Sequence, residues 1–462
     1  MITRRLERFV QEQMIATRIP GLSLVVLRGD ETAARHFGFK ELRRREPPTG
    51  TTRYGIGSVT KVFTAVAVLQ LVAEGRVGLD DTLAAHVGGD ADAFGDATVA
   101  HALAHASGLP ALGWSETKMS SAWFMDGFPV GGFEDLAAFM DGAEAWRTAA
   151  PGERWQYSNE AYILLGRLIE RCDERPYADA LERRVLAPLG MARSTFDPDV
   201  ADADDDRVQP FMHDEKGRLM PGANLHGTMP AAGGLLSTPD DMTRFARFLM
   251  SGCAEDGTTL LPQRWLERMA NDDVTIDAAT PFDALPLWAD PRRVNGAGLQ
   301  RHVGVLGHDV WAHGGGVMGG TAYVAVVPGE RLGVVLLANA HGYPLAQLAL
   351  VTLASLLGAE PEALPFVRRQ RLVERAAGSY ASWAGTIQAE LAPRGWGLEL
   401  RLAFEPSGRG VPLILLDHDE ARDVTRFMAL GGGRPGLAEV RHTDEGTVLV
   451  FERYALHRRG AI

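Results

Sequence analysis

The sequence predicts an α/β fold in which one antiparallel sheet is assembled from strands at both ends of a large domain. Helices cover its faces, an all-helical insertion separates its halves, and a small all-β barrel follows. Three observations carry this reading. Gly21 to Leu27, rich in Leu and Val, is joined through Gly29-Asp30 to a second extended run, Thr32 to Gly38. Two further strand-like runs, around Tyr323 to Val327 and Leu332 to Ala338, arrive only late in the chain. Beyond residue 372 the apolar period drops to two: Leu398, Leu400, Leu402 and Phe404 alternate with Glu399, Arg401 and Ala403.

Element by element, Met1 to Arg18 mixes Arg, Glu and Gln with Leu, Phe and Val at helical spacing, and it lacks both a continuous apolar segment and a small-residue cleavage site. The expectation is an amphipathic helix and a cytoplasmic protein. Val59 to Glu74 contains no Gly or Pro, is apolar at nearly every turn and meets a natural stop at Gly75, so it is a buried helix. A mostly helical middle includes Ala161 to Arg171 and Pro239 to Met250. Between 112 and 148, Trp114, Trp123, Phe124, Met125, Phe128 and Trp146 surround Gly131-Gly132, and this stretch is read as a lid over a cleft. The expected division is a first domain at 1–360, a linker at 361–372 carrying Pro361, Pro365 and Arg368-Arg369-Gln370-Arg371, and a barrel at 373–462. Leu413 to Leu416, Val424 to Leu430 and Val448 to Phe451 supply its strands, and Gly431-Gly432-Gly433 and Asp444-Glu445-Gly446 its turns.

The 462 residues exceed what one core serves, and 46% hydrophobic content is ordinary for globular chains. A formal charge of -12 argues against nucleic acid or an anionic membrane surface as the main partner. The 2 cysteines, Cys172 and Cys253, have no metal-ligand spacing and are read as buried thiols. His101 and His105 are four apart but lack the intervening glutamate of a zinc protease, so no metal is assigned to them.

Chemistry is concentrated in three short segments. Ser58-Val59-Thr60-Lys61 opens the buried helix, and a residue three positions on returns to the same face, within reach of the serine hydroxyl. Burial disfavours an ammonium, and an uncharged amine accepts the serine proton. In Tyr157-Ser158-Asn159 the first and third side chains of an extended segment point the same way, a phenol for proton transfer and an amide for orientation. His313-Gly314-Gly315-Gly316 precedes a strand; its glycines let a ligand approach the backbone, where one N–H can join that of Ser58 around an oxyanion.

In this order, the three segments resemble the serine β-lactamase and penicillin-binding-protein superfamily, in particular its class C, esterase and D-aminopeptidase branch. His105-Ala106-Ser107-Gly108-Leu109-Pro110 and Ala232-Gly233-Gly234-Leu235-Leu236 extend the resemblance, which covers about residues 5 to 360. It implies a β-lactamase/transpeptidase-like domain with Ser58 as nucleophile, Lys61 as its proton acceptor and Tyr157 as relay to the leaving group. Asn159 would bind the acyl side chain or Lys61, His313 would stand where lysine is common, and Gly316 would give the second oxyanion N–H beside that of Ser58. No metal or cofactor is implied. His-Gly-Gly replaces the Lys-Thr-Gly or Lys-Ser-Gly that grips a β-lactam carboxylate, and a histidine neutral at pH 7 holds an anionic ring less firmly.

The C-terminal part resembles the lipocalin-like module of D-residue-selective peptidases and of stand-alone penicillin-binding-protein-type thioesterases. The leading expectation is therefore a serine acyl-enzyme that macrocyclises nonribosomal peptides. A D-stereospecific peptidase or esterase follows, a weak β-lactamase comes third, and a non-catalytic acyl-ligand sensor is the reading from another class. The expected partner is a small-molecule or peptidyl substrate, including a carrier-protein-bound thioester, with oligomeric state left open.

Overall fold

The computed structural model describes the chain apart from residues 115–132, 223–229, 272–273, 277–284, 286, 343, 396, 404–409, 432–433 and 460–462. It divides into two units, 1–277 with 291–358, and 278–290 with 359–462.

The first unit is built on an eight-stranded antiparallel sheet in the order Glu31–Gly38 (β2), Gly21–Arg28 (β1), Leu332–Ala338 (β8), Gly320–Val327 (β7), His308–Val317 (β6), Gln300–Val305 (β5), Arg293–Asn295 (β4) and Val274–Thr275 (β3). Helix α1 (Arg4–Thr17) opens the chain, capped by the Thr3 hydroxyl and buried through Leu6, Val10 and Met14, one face at intervals of four. β1 (Gly21–Arg28) and β2 (Glu31–Gly38) form a hairpin, and β8 (Leu332–Ala338) pairs on the other side of β1, with Leu24 opposite Leu336. The expected union of early and late strands is thus present. β1 and β8 are buried almost throughout because a strand lies on each side and helices cover their faces. β3 (Val274–Thr275), β4 (Arg293–Asn295), β5 (Gln300–Val305), β6 (His308–Val317) and β7 (Gly320–Val327) complete the sheet.

Helix α2 (Thr60–Ala73) is apolar all round and sunk in the core, where Phe63 stacks on Phe245 at 3.7 Å. Burial of each Leu, Val or Phe here contributes about 1.5–3 kcal/mol, which is what fixes the helix. Its partners are α3 (Asn159–Asp173) and α4 (Pro239–Ser251) of the helical insertion; α5 (Leu345–Leu356) covers the sheet after β8. Of the residues read as a lid, Trp114 is instead a core side chain against Phe139, and Trp146 is 71% exposed; Trp123, Phe124, Met125 and Phe128 lie outside the described residues. Cys172 and Cys253 are free and half-buried rather than buried. No helix among the described residues is long and apolar enough to cross a membrane.

In the second unit the stretch read as a linker is largely helical, α6 (Pro365–Ala376), with proline at its first position and Arg369, Val373 and Ala376 buried. Of its arginines only Arg369 is buried; Arg368, Arg371 and Arg375 face solvent. Eight strands then close a barrel: β9 (Gly378–Ala381), β10 (Gln388–Arg394), β11 (Gly397–Leu402), β12 (Val411–Asp419), β13 (Val424–Gly431), β14 (Arg434–Thr443), β15 (Gly446–Phe451) and β16 (Tyr454–Arg458). Pairing of Tyr380 with Arg458 seals the ring. Alternate residues, among them Leu391, Leu400, Leu413, Leu415, Phe427, Val440 and Leu449, fill the interior. Leu287 joins this core, and the Trp288 indole N–H donates to the Leu415 carbonyl at 2.8 Å. The Arg369 guanidinium lies over the Trp288 ring, donates to the Leu287 carbonyl and pairs with Asp290 at 2.6 Å. Arg369→Met should lower the urea stability of this unit by about 1–3 kcal/mol; an unchanged midpoint would show that the guanidinium clamp holds nothing.

Candidate active site

The nucleophile segment depends on glycine. Gly57 has a φ of +51, and Gly57–Val59 form a 3-10 turn that runs into α2, so Ser58 sits just before the α-helix proper rather than as its N-cap. This turn lies against the backbone of β6. A Cβ on Gly315 would collide with the Ile56 carbonyl and come 2.9 Å from Ser58 N, and one on Gly57 would come 2.7 Å from Gly316 N. The glycine run is therefore a strand, not a turn: the two backbones touch where any side chain would hold them apart. β5 leaves β6 at Ala312, opposite Gln300, and beyond it the edge from His313 to Val317 has no strand partner on that side among the described residues.

Lys61 lies in the first turn of α2, three residues after Ser58, with 0% exposure. Its Nζ stands 3.2 Å from Ser58 Oγ, 2.7 Å from Asn159 Oδ1 and 2.6 Å from the Ala232 carbonyl. An uncharged amine donates two N–H bonds to the latter oxygens and turns its lone pair to the serine; an ammonium donates to all three. The Tyr157 hydroxyl donates to Ser58 Oγ at 2.7 Å, on the other side of the alcohol. Asn159 is the first residue of α3, two positions earlier than the apolar pattern indicated. Ser158 is the cap, accepting the Ala161 N–H at 3.1 Å. The phenol and the amide reach one site because the chain switches from extended to helical between them.

His313 is 3% exposed, and its Nδ1–H donates to the Gly314 carbonyl at 2.7 Å. Burial first, and then the Lys61 charge, push its pKa down to about 4, so the ring is neutral at pH 7. Ser58, Lys61, Tyr157 and Asn159 thus form one hydrogen-bonded cluster, Gly316 borders it through the backbone, and His313 faces it electrostatically. The Ala232 carbonyl is a ligand of Lys61 that the Ala-Gly-Gly phrase does not single out. His105, which the sequence presents only within the phrase His105-Ala106-Ser107-Gly108-Leu109-Pro110, lies against Tyr157. His101 accepts the Thr98 N–H in a capping box, so the two histidines four apart serve different backbone donors.

The fold and cluster define a class: a serine hydrolase with an antiparallel sheet, an inserted helical part and a buried lysine beside the alcohol. The chain belongs to the Beta-lactamase family, which matches residues 6–356. The family described as Pab87 octamerisation domain matches residues 361–457. Among solved structures, the octameric penicillin-binding protein homologue from Pyrococcus abyssi superposes with a TM-score of 0.87 at 33% identity, covering 99% of this chain and 100% of that one. A D-stereospecific amidohydrolase from Streptomyces sp. shares the fold (TM-score 0.63, 24% identity, 77% and 99% covered). A D-aminopeptidase of Gluconobacter oxydans (strain 621H) is 26% identical over 443 residues, 94% of this chain and 74% of that protein. Protein flp of Staphylococcus aureus (strain COL) is 27% identical over 201 residues, 42% of this chain; the match spans only 38% of its length.

The buried histidine predicts a pH dependence. The ordinary histidine value of 6.5 exceeds the folded value of about 4, so the unfolded chain binds the proton first. The stability due to a neutral His313 is complete above 6.5 and is lost as pH falls toward about 4, on the order of 3 kcal/mol in full. Urea unfolding of His313→Gln should show a correspondingly shallower loss between these limits than the parent protein, and parallel curves would contradict it.

Proposed function

We propose that this chain is a serine acyl-enzyme hydrolase acting on peptide amides or esters whose acyl residue is a D-amino acid. One observation carries the reading: a single hydroxyl, Ser58, lies within hydrogen-bonding distance of both a buried amine and a phenol. The Ser58 proton passes to the Lys61 lone pair as Oγ attacks the carbonyl carbon. The resulting oxyanion is held by the N–H groups of Ser58 and Gly316, and Tyr157 returns a proton to the leaving nitrogen or oxygen. Water, deprotonated by the same groups, then releases the acid from the Ser58 ester. The acyl chain lies along the open edge of β6, where backbone N–H and C=O groups read an extended peptide by strand addition. Asn159, fixed by Lys61, orients the acyl amide.

The D-aminopeptidase relative, similar along 94% of this chain, supports the stereochemistry. Macrocyclisation of a peptidyl thioester uses the same acyl-enzyme with an internal amine in place of water. The choice between them rests on the acceptor, and hydrolysis is the reading that the named relatives favour. A neutral His313 leaves the third motif without a permanent cation, which disfavours the carboxylate of a β-lactam.

Matched peptides ending in D- and L-residues, as esters and as thioesters, test this by mass spectrometry. The expected result is free acid, with a D over L preference in kcat/KM of at least about tenfold and a loss of about a thousandfold or more in Ser58→Ala. Activity retained in that variant would refute the mechanism; cyclic product would replace water with an amine; an L preference would overturn the stereochemistry. The barrel is read as an assembly domain, on its match to an octamerisation domain and the octameric homologue. Light scattering should then give a mass about eightfold that of the 50.0 kDa chain, and a monomer would reject this role.

A further inference from the structure

His105 is 2% exposed and held at a φ of +56, a left-handed conformation that few residues other than Gly, Asn and Asp adopt. Its Nδ1 accepts the Ser158 N–H at 3.2 Å, and its carbonyl accepts the Gln156 N–H at 2.6 Å, so it bonds to the residues on both sides of Tyr157. Its ring lies 4.3 Å from that of Tyr157 and 4.9 Å from that of Tyr162, with the Trp155 ring edge-on at 6.4 Å. Nδ1 is occupied as an acceptor, so the neutral ring carries its proton on Nε2, a buried atom with no hydrogen-bond partner among the described residues.

Packing alone does not explain this residue. A phenyl ring would fill the same space without an orphaned N–H, and such a group is costly to bury. What histidine adds is the Nδ1 acceptor that ties the backbone beside the tyrosine to a ring lying against the phenol at a tilt of 32°.

We propose that His105 is the positioning residue for Tyr157: its uncharged imidazole, locked as the Nε2–H tautomer by the Ser158 N–H, braces the phenol so that its hydroxyl stays on Ser58. This rests on the reading of Ser58 as nucleophile. Burial, then Lys61 and His313, hold His105 well below the usual histidine range. The charged and titratable groups facing it are Lys61 of α2, His313 of β6, Tyr157 just before α3 and Tyr162 in the first turn of α3. A second cation there would repel Lys61, whose Nζ lies 4.9 Å from the centre of the Tyr157 ring; a neutral ring does not.

The test is the rate at which a fluorophosphonate labels Ser58, followed by intact mass across pH. His105→Asn suits it, because asparagine accepts the left-handed backbone and keeps an acceptor while removing the ring. Labelling is expected to slow at least about tenfold, with a displaced pH profile, and the same substitution in a Tyr157→Phe background should add nothing. A parent-like rate and profile, or losses that multiply in the double variant, would overturn the proposal while leaving Ser58 as the nucleophile. Failure of the parent protein to label would instead refute the nucleophile reading, and this one with it. If His105→Asn does not fold, ¹⁵N spectra of the histidine-labelled parent decide. An Nε2–H ring that does not titrate between about pH 5 and about pH 9 supports the assignment, and a titrating ring or an Nδ1–H tautomer rejects it.

Discussion

The site hangs on a contact between two stretches of backbone. The turn at Gly57 and Ser58 lies against Gly315 and Gly316 of β6 so closely that a single methyl group at Gly315 or Gly57 would force them apart. From that contact the rest follows. The serine N–H and Oγ are placed beside the open strand edge, α2 leaves the turn in the one direction that carries Lys61 back under the alcohol, and the sheet needs its last strands in place to receive it. A strand with three consecutive glycines has little propensity of its own, so β6 depends on its pairing with β7, where Gly315 faces Ala322 and Gly316 faces Thr321.

Around this contact the protein collects polar groups that it would otherwise avoid burying. Lys61 is satisfied by an amide, a carbonyl and the alcohol, and the two histidines near it are kept uncharged chiefly by their own desolvation. Neither ring therefore adds a positive charge beside Lys61. Two imidazoles beside one amine look redundant until their states are counted: both are spectators in charge, and each is bound through Nδ1 to nearby backbone.

Much of this was legible in the chain. Ser58 and Lys61 are separated by one helical turn and Tyr157 and Asn159 by one residue, so each pair could be placed on a common side without knowing the fold. The strand alternation of residues 398–402 needs no tertiary context either. What was not legible came from contacts distant in sequence. Nothing in Pro365–Ala376 announces that one arginine of its helix is buried, because the partners of Arg369 are Asp290, Trp288 and the Leu287 carbonyl, far off in sequence. The Ala232 carbonyl is a backbone atom and carries no residue signature at all. Cys172 and Trp114 were misjudged in opposite senses, since exposure of a single side chain is decided by neighbours that composition does not reveal.

The second unit also draws on the chain twice: Leu287, Trp288 and Asp290 join it from within the sequence of the sheet domain, immediately before β4, long before α6 and the barrel are reached. Inheritance therefore cannot treat the barrel as a detachable tail. A single genetic crossover near residue 358 would transplant the strands without Leu287 and Trp288 and leave the donor gene coding for an indole and a leucine with nowhere to dock, so gain or loss of this module calls for two coordinated changes in the gene.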